Sequence, residues 1–153
     1  WKTYDKIQTF VPIQEYQIDY YKNKFLKYIN PGFIKCVTDE NDELVAFAIT
    51  MPSFSNALKK INGKVDFFGK LRLLHAKNFN HKGSLYLIGV RPDFQNKGVI
   101  AILFNELQKF YNKFGITEVE TNPELIENTA IQQLWKNYEN NQHKNRATFT
   151  KQI

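Results

Sequence analysis

Ser84-Leu85-Tyr86-Leu87-Ile88-Gly89-Val90 is an apolar run, Arg91-Pro92-Asp93 breaks it, and Phe94-Gln95-Asn96-Lys97-Gly98 leads into Val99-Ile100-Ala101. The run has strand composition, and Pro92 lacks the N–H a ladder needs, so a strand is expected over 84–90 and ends there. Beyond Gly98 the period changes. Val99, Leu103, Phe110 and Phe114, with Ile100, Phe104, Leu107 and Tyr111, fall on one broad apolar face, which predicts a long helix closed by Gly115. Residues 116–121 then read as a second short strand.

Working outward, 13–29 reads as an amphipathic helix carrying Tyr16, Tyr20, Phe25 and Tyr28, stopped by Asn30-Pro31-Gly32. Two strands over 33–38 and 43–50 flank the polar loop Asp39-Glu40-Asn41-Asp42. Ser53 is placed to cap a short helix running to Ile61, and Asp66 to start a second one with Phe67, Phe68, Leu71 and Leu74 at helical spacing. Toward the C-terminus, Asn122-Pro123-Glu124 has the form of a helix start, leading to Ile131, Leu134, Trp135 and Tyr138. A last strand is expected over 146–153. The order is mixed α/β, with an antiparallel hairpin early and alternating strands and helices late.

The chain has 153 residues, 42% hydrophobic and 24% charged, which suits one domain over 1–153. Its 13 Phe, 8 Tyr and 2 Trp are more apolar surface than a disordered tail carries. No apolar run approaches the ~20 residues of a membrane span, and no membrane partner is expected. One cysteine, Cys36, excludes a disulfide framework; set among Phe33, Ile34 and Val37, it reads as a small buried filler, and its scarcity suits a cytoplasmic setting. The chain opens at Trp1 without a Met, so a longer protein is expected, with residues 1–12 a connector from a missing N-terminal domain.

Net charge is +6, and all of it lies in one segment. Between Pro52 and Lys82 stand Lys59, Lys60, Lys64, Lys70, Arg72, Lys77 and Lys82 against Asp66 alone, while the rest of the chain balances. The cations are mostly Lys and the aromatics sit at core spacing, so no nucleic-acid partner is expected. That lysine face is either a solvated surface that keeps the protein soluble or a border that attracts an acidic substrate. On either reading the apolar side chains Phe67, Phe68, Leu71 and Leu74 are expected to pack inward.

Most chemical signatures are absent. There is no P-loop, no G-x-G-x-x-G and no G-x-S-x-G, and His75, His81 and His143 have no metal-ligand spacing, so no metal site is expected. The remaining feature is Gly98 at the start of a long helix. A helix start presents unpaired amides and the positive end of its dipole, and a residue without a side chain lets an anion such as a pyrophosphate approach. On the same residues, Gly98 equally serves as a tight strand-to-helix turn.

The stretch from Leu87 to Val99 resembles the acyl-CoA-binding signature of the GNAT superfamily of acyl-CoA N-acyltransferases, a strand ending V-x-P followed by [QR]-x-x-G-x-[GA] at a helix start. The resemblance implies an α/β fold of the α+β type, a mixed central sheet flanked by helices, with a helical insertion at about 53–79. It also implies a role for each matching position. The backbone amides of Gln95, Asn96, Lys97, Gly98, Val99 and Ile100 would hold the CoA pyrophosphate, with Lys97 near the phosphates by charge. The backbone of Ile88, Gly89 and Val90 would pair with pantetheine, and Asn128 would bond its amide. Acetyl-CoA, or another acyl-CoA, would be the co-substrate and a small-molecule or peptide amine the acceptor.

Two positions depart from that pattern. Ile100 stands where the signature ends in Gly or Ala. Trp135 stands where the family often has a tyrosine proton donor, and an indole N–H is not a practical acid. Tyr138, one helical turn on, is the substitute donor, and Glu120 on the strand after the long helix is the base, each held as a weak candidate beside a core-packed tyrosine and a surface carboxylate. An acyl-CoA-binding module with little or no turnover is the alternative that Trp135 leaves open.

Overall fold

The computed structural model describes residues 11–24, 26 and 29–151. Along the chain lie α1 (Glu15–Lys24), β1 (Ile34–Thr38), β2 (Leu44–Pro52), α2 (Ser55–Ile61), α3 (Phe67–Asn78), β3 (Lys82–Val90), α4 (Val99–Phe114), β4 (Glu118–Thr121) and α5 (Thr129–Trp135). The strands form one mixed sheet in the order β1-β2-β3-β4. The chain divides into two compact units, Trp1–Glu120 and Thr121–Ile153.

In the first unit, β1 and β2 pair antiparallel with Cys36 opposite Phe47, and β2 pairs antiparallel with β3 with Ala46 opposite Val90 and Pro52 opposite Gly83. The hairpin turn closes because Asp39 Oδ1 accepts from the amides of Asn41 and Glu43, both at 3.0 Å. Between Ile49–Leu87 and Thr50–Leu85 the register slips, so Tyr86 faces no residue of β2. Such a bulge bends its strand. β4 meets β3 at the strand's beginning, where the amides of Thr117 and Glu118 donate to the His81 carbonyl at 2.9 and 3.2 Å.

The core lies between the sheet and α4. Val99, Leu103, Leu107 and Tyr111, each four residues from the next, are all buried, against Val45, Ala46, Ala48 and Thr50 of β2. Thr50 Oγ donates to the Phe33 carbonyl at 2.9 Å, satisfying a hydroxyl that has no access to water. Phe33, Phe110 and Phe114 close the far end, with Phe33 edge-on to Phe110 at 4.9 Å between ring centroids. Burial of this size on one helix face is what holds α4 to the sheet.

The insertion at 53–79 is present as α2 and α3, but several local expectations change. Asp66 does start α3, its carboxylate accepting from Gly69 N at 2.6 Å. Its apolar residues, however, face outward: Phe67 and Phe68 are 70% and 69% exposed and Leu71 and Leu74 about half exposed, whereas Gly69 is buried, 2.8 Å separating its would-be Cβ from the Lys64 carbonyl. The smallest residue sits against the turn between α2 and α3, where a side chain would meet Lys64 and Asp66. Ser53 does bond the start of α2, which runs from Ser55 after Phe54: its Oγ accepts from the Ser55 amide at 3.4 Å and donates to Ser55 Oγ at 3.2 Å. Cys36 is exposed, since β1 is the edge of the sheet among the described residues. Helix α1 spans Glu15–Lys24 and buries none of its side chains; Phe25 and Tyr28 lie outside the described residues, as do most of the residues expected to form a connector.

In the second unit, Asn122-Pro123-Glu124 does not start a helix. Glu124 Oε1 instead accepts from Trp135 Nε1 at 2.8 Å, and Gln132 Nε2 donates to the carbonyls of Leu125 and Ile126, so 124–126 folds back along α5, which begins after Asn128. Tyr138 is 45% exposed rather than core-packed. No strand forms over the described part of 146–153. Among the described residues no helix is long and apolar enough to cross a membrane.

Candidate functional site

β3 ends at Val90, whose neighbour Arg91 still donates its amide to Val45 O at 2.8 Å. Pro92–Phe94 then makes one tight 3-10 turn. Asn96 and Gly98 both adopt left-handed backbone, with φ of 61° and 76°, and Gly98 is the residue from which α4 departs. The first intrahelical bonds are those of Ala101 and Ile102 to Gly98 O, so the amides of Val99 and Ile100 precede the helix ladder. Two left-handed residues ahead of a helix start turn successive amides toward a common concavity, a backbone site for an anion.

Side chains leave that concavity clear. Val99 is buried and Ile100 packs against the cluster of Val45, Ala46, Val90 and Val99. Ile100 in place of the signature's small residue therefore points into the core, and only its amide remains on the loop side. Gln95, Asn96, Lys97 and Gly98 are exposed. A Cβ built on Gly98 meets no atom within 4 Å. The open space and free helix start fit a pyrophosphate such as that of CoA, which supplies an acyl thioester when bound.

The loop is held by charge. Arg91 Nε faces Asp93 at 2.9 and 3.1 Å, Nη1 faces Glu43 at 3.2 Å and Nη2 faces Asp39 at 3.2 Å. Its guanidinium also lies 4.5 Å from the Phe94 ring centroid, and Lys97 Nζ lies 5.1 Å from the same ring. The hydrogen bond to Asp93 raises the Arg91 pKa, and the reciprocal bond lowers that of Asp93. Burial pushes the Asp39 carboxyl up, but the amides of Glu43 and Asn41 and the Arg91 guanidinium outweigh it and hold the carboxyl low. Sequence reasoning treated Arg91 as a letter of the V-x-P pattern. The signal available was a lone Arg beside Asp93, with an acidic loop elsewhere in the chain to answer it.

Ile88, Gly89 and Val90 occupy the last turnless stretch of β3, opposite Ala48, Phe47 and Ala46. Glu120 is half-buried on β4, where its charge adds to that of Glu118 in raising the Lys82 pKa; this is the opposite end of β3 from Val90. Asn128, Trp135 and Tyr138 belong to the second unit, where Trp135 and Tyr138 meet edge to face at 6.3 Å. The basic segment leaves β2 at Pro52 and rejoins β3 at Lys82, six residues along β2 from Ala46, about 20 Å at ~3.4 Å per residue. A shallow recess lined by Phe33, Met51, Phe54, Lys77 and Phe114 lies at that same remote end.

Comparison with known proteins gives one consistent answer. The model of the acetyltransferase (GNAT) family matches residues 1–138. Solved structures of similar fold include an aminoglycoside antibiotic 6'-N-acetyltransferase from Acinetobacter haemolyticus, 14% identical with a TM-score of 0.57, covering 94% of this chain and 85% of that one. An acetyltransferase from Trypanosoma brucei is 12% identical with a TM-score of 0.51, over 92% and 82% of the two chains. A phosphinothricin N-acetyltransferase homologue of unproven activity is 14% identical with a TM-score of 0.52, over 76% and 60%. No curated protein matches by sequence.

Proposed function

The chain belongs to the acetyltransferase (GNAT) family, and from that premise we propose that it transfers an acetyl group from acetyl-CoA to a small-molecule or peptide amine. The observation that carries the reading is the open, left-handed Gly98 at the start of α4, with Asn96 also left-handed before it. In this reading the amides from Gln95 to Ile100 bind the pyrophosphate, Lys97 adds charge, Asn128 bonds the pantetheine amide, and the backbone of Ile88 to Val90 lies along the pantetheine arm. Glu120 takes the proton that the attacking amine must lose. Tyr138 returns one to the leaving thiolate.

The test is calorimetry with acetyl-CoA followed by a thiol-release assay across a panel of amines. Binding by the wild type, lost in Gly98→Glu, is the expected result. Glu120→Gln and Tyr138→Phe are each expected to lower turnover ~100-fold or more if they act as base and acid. Wild-type turnover in Tyr138→Phe removes it as the donor. One observation favours a second reading, an acyl-CoA-binding module without turnover: the indole N–H of Trp135, at the usual tyrosine position, is held by Glu124. Acetyl-CoA binding with no thiol release from any amine would select it.

A further inference from the structure

Arg91 is one positive charge shared among three carboxylates, those of Asp39, Glu43 and Asp93. Each of its three guanidinium nitrogens already faces one of them, and its side chain is only 19% exposed, so it is not laid out as a phosphate ligand. Two of the three acids come from the turn between β1 and β2, 52 and 48 residues away in sequence. They converge on the residue that opens the loop toward Asn96 and Gly98. Lys97, on that loop, sits over the same Phe94 ring as Arg91, at 5.1 Å against 4.5 Å, so the guanidinium that the carboxylates share and the Lys97 ammonium are within about 10 Å of each other. That is no more than a Debye length at ~0.1 M salt.

We propose that Arg91 is a positioning residue that partly masks the carboxylates of Asp39, Glu43 and Asp93, so that the anion-binding amides of the loop after β3 receive a polyanionic cofactor against less repulsion. The inference rests on the acetyl-CoA reading above. A group near an anion site has two separable effects. A mechanical tie holds the loop's shape, and being built of ion pairs it too weakens as salt screens them, but it loosens when any of its carboxylates is removed. A mask changes the field, and its effect fades as ions screen it.

The sign of the effect of removing a carboxylate therefore decides, and its salt dependence must agree. With CoA as the probe in calorimetry on the whole chain, Arg91→Gln is expected to bind about tenfold more weakly than wild type at ~10 mM salt. The gap should close to about twofold at ~1 M, where the Debye length is ~3 Å. Arg91→Lys, which keeps the charge but loses the fork, should stay nearer to wild type than to Gln at low salt. Glu43→Gln removes the most exposed of the three carboxylates, and should tighten CoA binding about twofold at low salt and not at high. Equal losses for Arg91→Gln at both salts, or weaker binding in Glu43→Gln, would overturn the mask and leave a mechanical tie. Absence of CoA binding by the wild type would instead take down the acetyl-CoA reading and this inference with it.

Discussion

Gly98 and Gly115 stand at opposite ends of α4 in nearly the same backbone state, with φ of 76° and 68°, and a Cβ built on either meets nothing within 4 Å. Replacing either with Ala forces an L-residue into the left-handed region, which costs roughly 1–2 kcal/mol. Stiffening of the unfolded chain offsets about 0.4–1 kcal/mol of that. Both variants should therefore lose about 1 kcal/mol, or ~2–4 °C in Tm for a chain of this size. They should differ in one respect. A methyl group at Gly98 has no protein atom to strike, so any collision it makes is with a bound anion. Gly98→Ala is expected to weaken acetyl-CoA binding by at least ~10-fold, about 1.4 kcal/mol, while Gly115→Ala keeps wild-type affinity. Calorimetry reads the affinity and thermal unfolding the stability. Matching affinities in the two variants would show that Gly98 serves only the turn from strand to helix.

Leu107 is 0% exposed at the centre of the α4–sheet core, so Leu107→Ala should cost about 2–5 kcal/mol, seen as a fall in Tm of roughly 5–15 °C. Phe67→Ser and Leu71→Ser, on the outward face of α3, should each change stability by no more than ~0.5 kcal/mol in urea unfolding, and a larger loss would place that face in the core after all. Asp93 and Asp39 have folded-state pKa values below their ordinary 3.8, so the stability they contribute is present above that pH and disappears as pH falls through the lower folded values. Between pH 7 and pH 3, Asp93→Asn should accordingly lose less of its urea midpoint than wild type, and an equal loss would refute the coupling to Arg91.

What the sequence determined by itself is whatever acts over a few residues. Pro92 cannot donate to a ladder, so β3 had to stop before it. Gly98 and Gly115 can take positive φ at no steric cost, and they bracket a helix whose four-residue apolar spacing announces its buried face. Asp39 and Asp66 bond amides two to four residues on, so the hairpin turn and the start of α3 were legible as well. The candidate anion loop belongs to this class: its Gly, its turn and its helix are contiguous.

Only the tertiary structure decided which surfaces are covered and which distant groups meet. The spacing of Phe67, Leu71 and Leu74 shows that α3 has an apolar face, but periodicity cannot say whether a neighbour fills the space opposite, and the buried residue of α3 is Gly69, set against Lys64 and Asp66 of the preceding turn. Cys36 reads as buried from its apolar neighbours in sequence, yet it is exposed on a strand that is the edge of the sheet among the described residues, and Tyr138, for which a place in the core stood beside the donor role, keeps nearly half its surface in solvent. Asn122-Pro123-Glu124 has every local mark of a helix start and is overruled by bonds from Trp135 and Gln132, which lie later in the chain. Arg91 is the sharpest case: two of its three acidic partners come from a turn about fifty residues earlier, and only the register that sets Ala46 against Val90 brings them to the loop. Short-range bonds are encoded by neighbours in sequence, whereas burial and ion pairing depend on neighbours in space, and those exist only once the sheet has chosen its order.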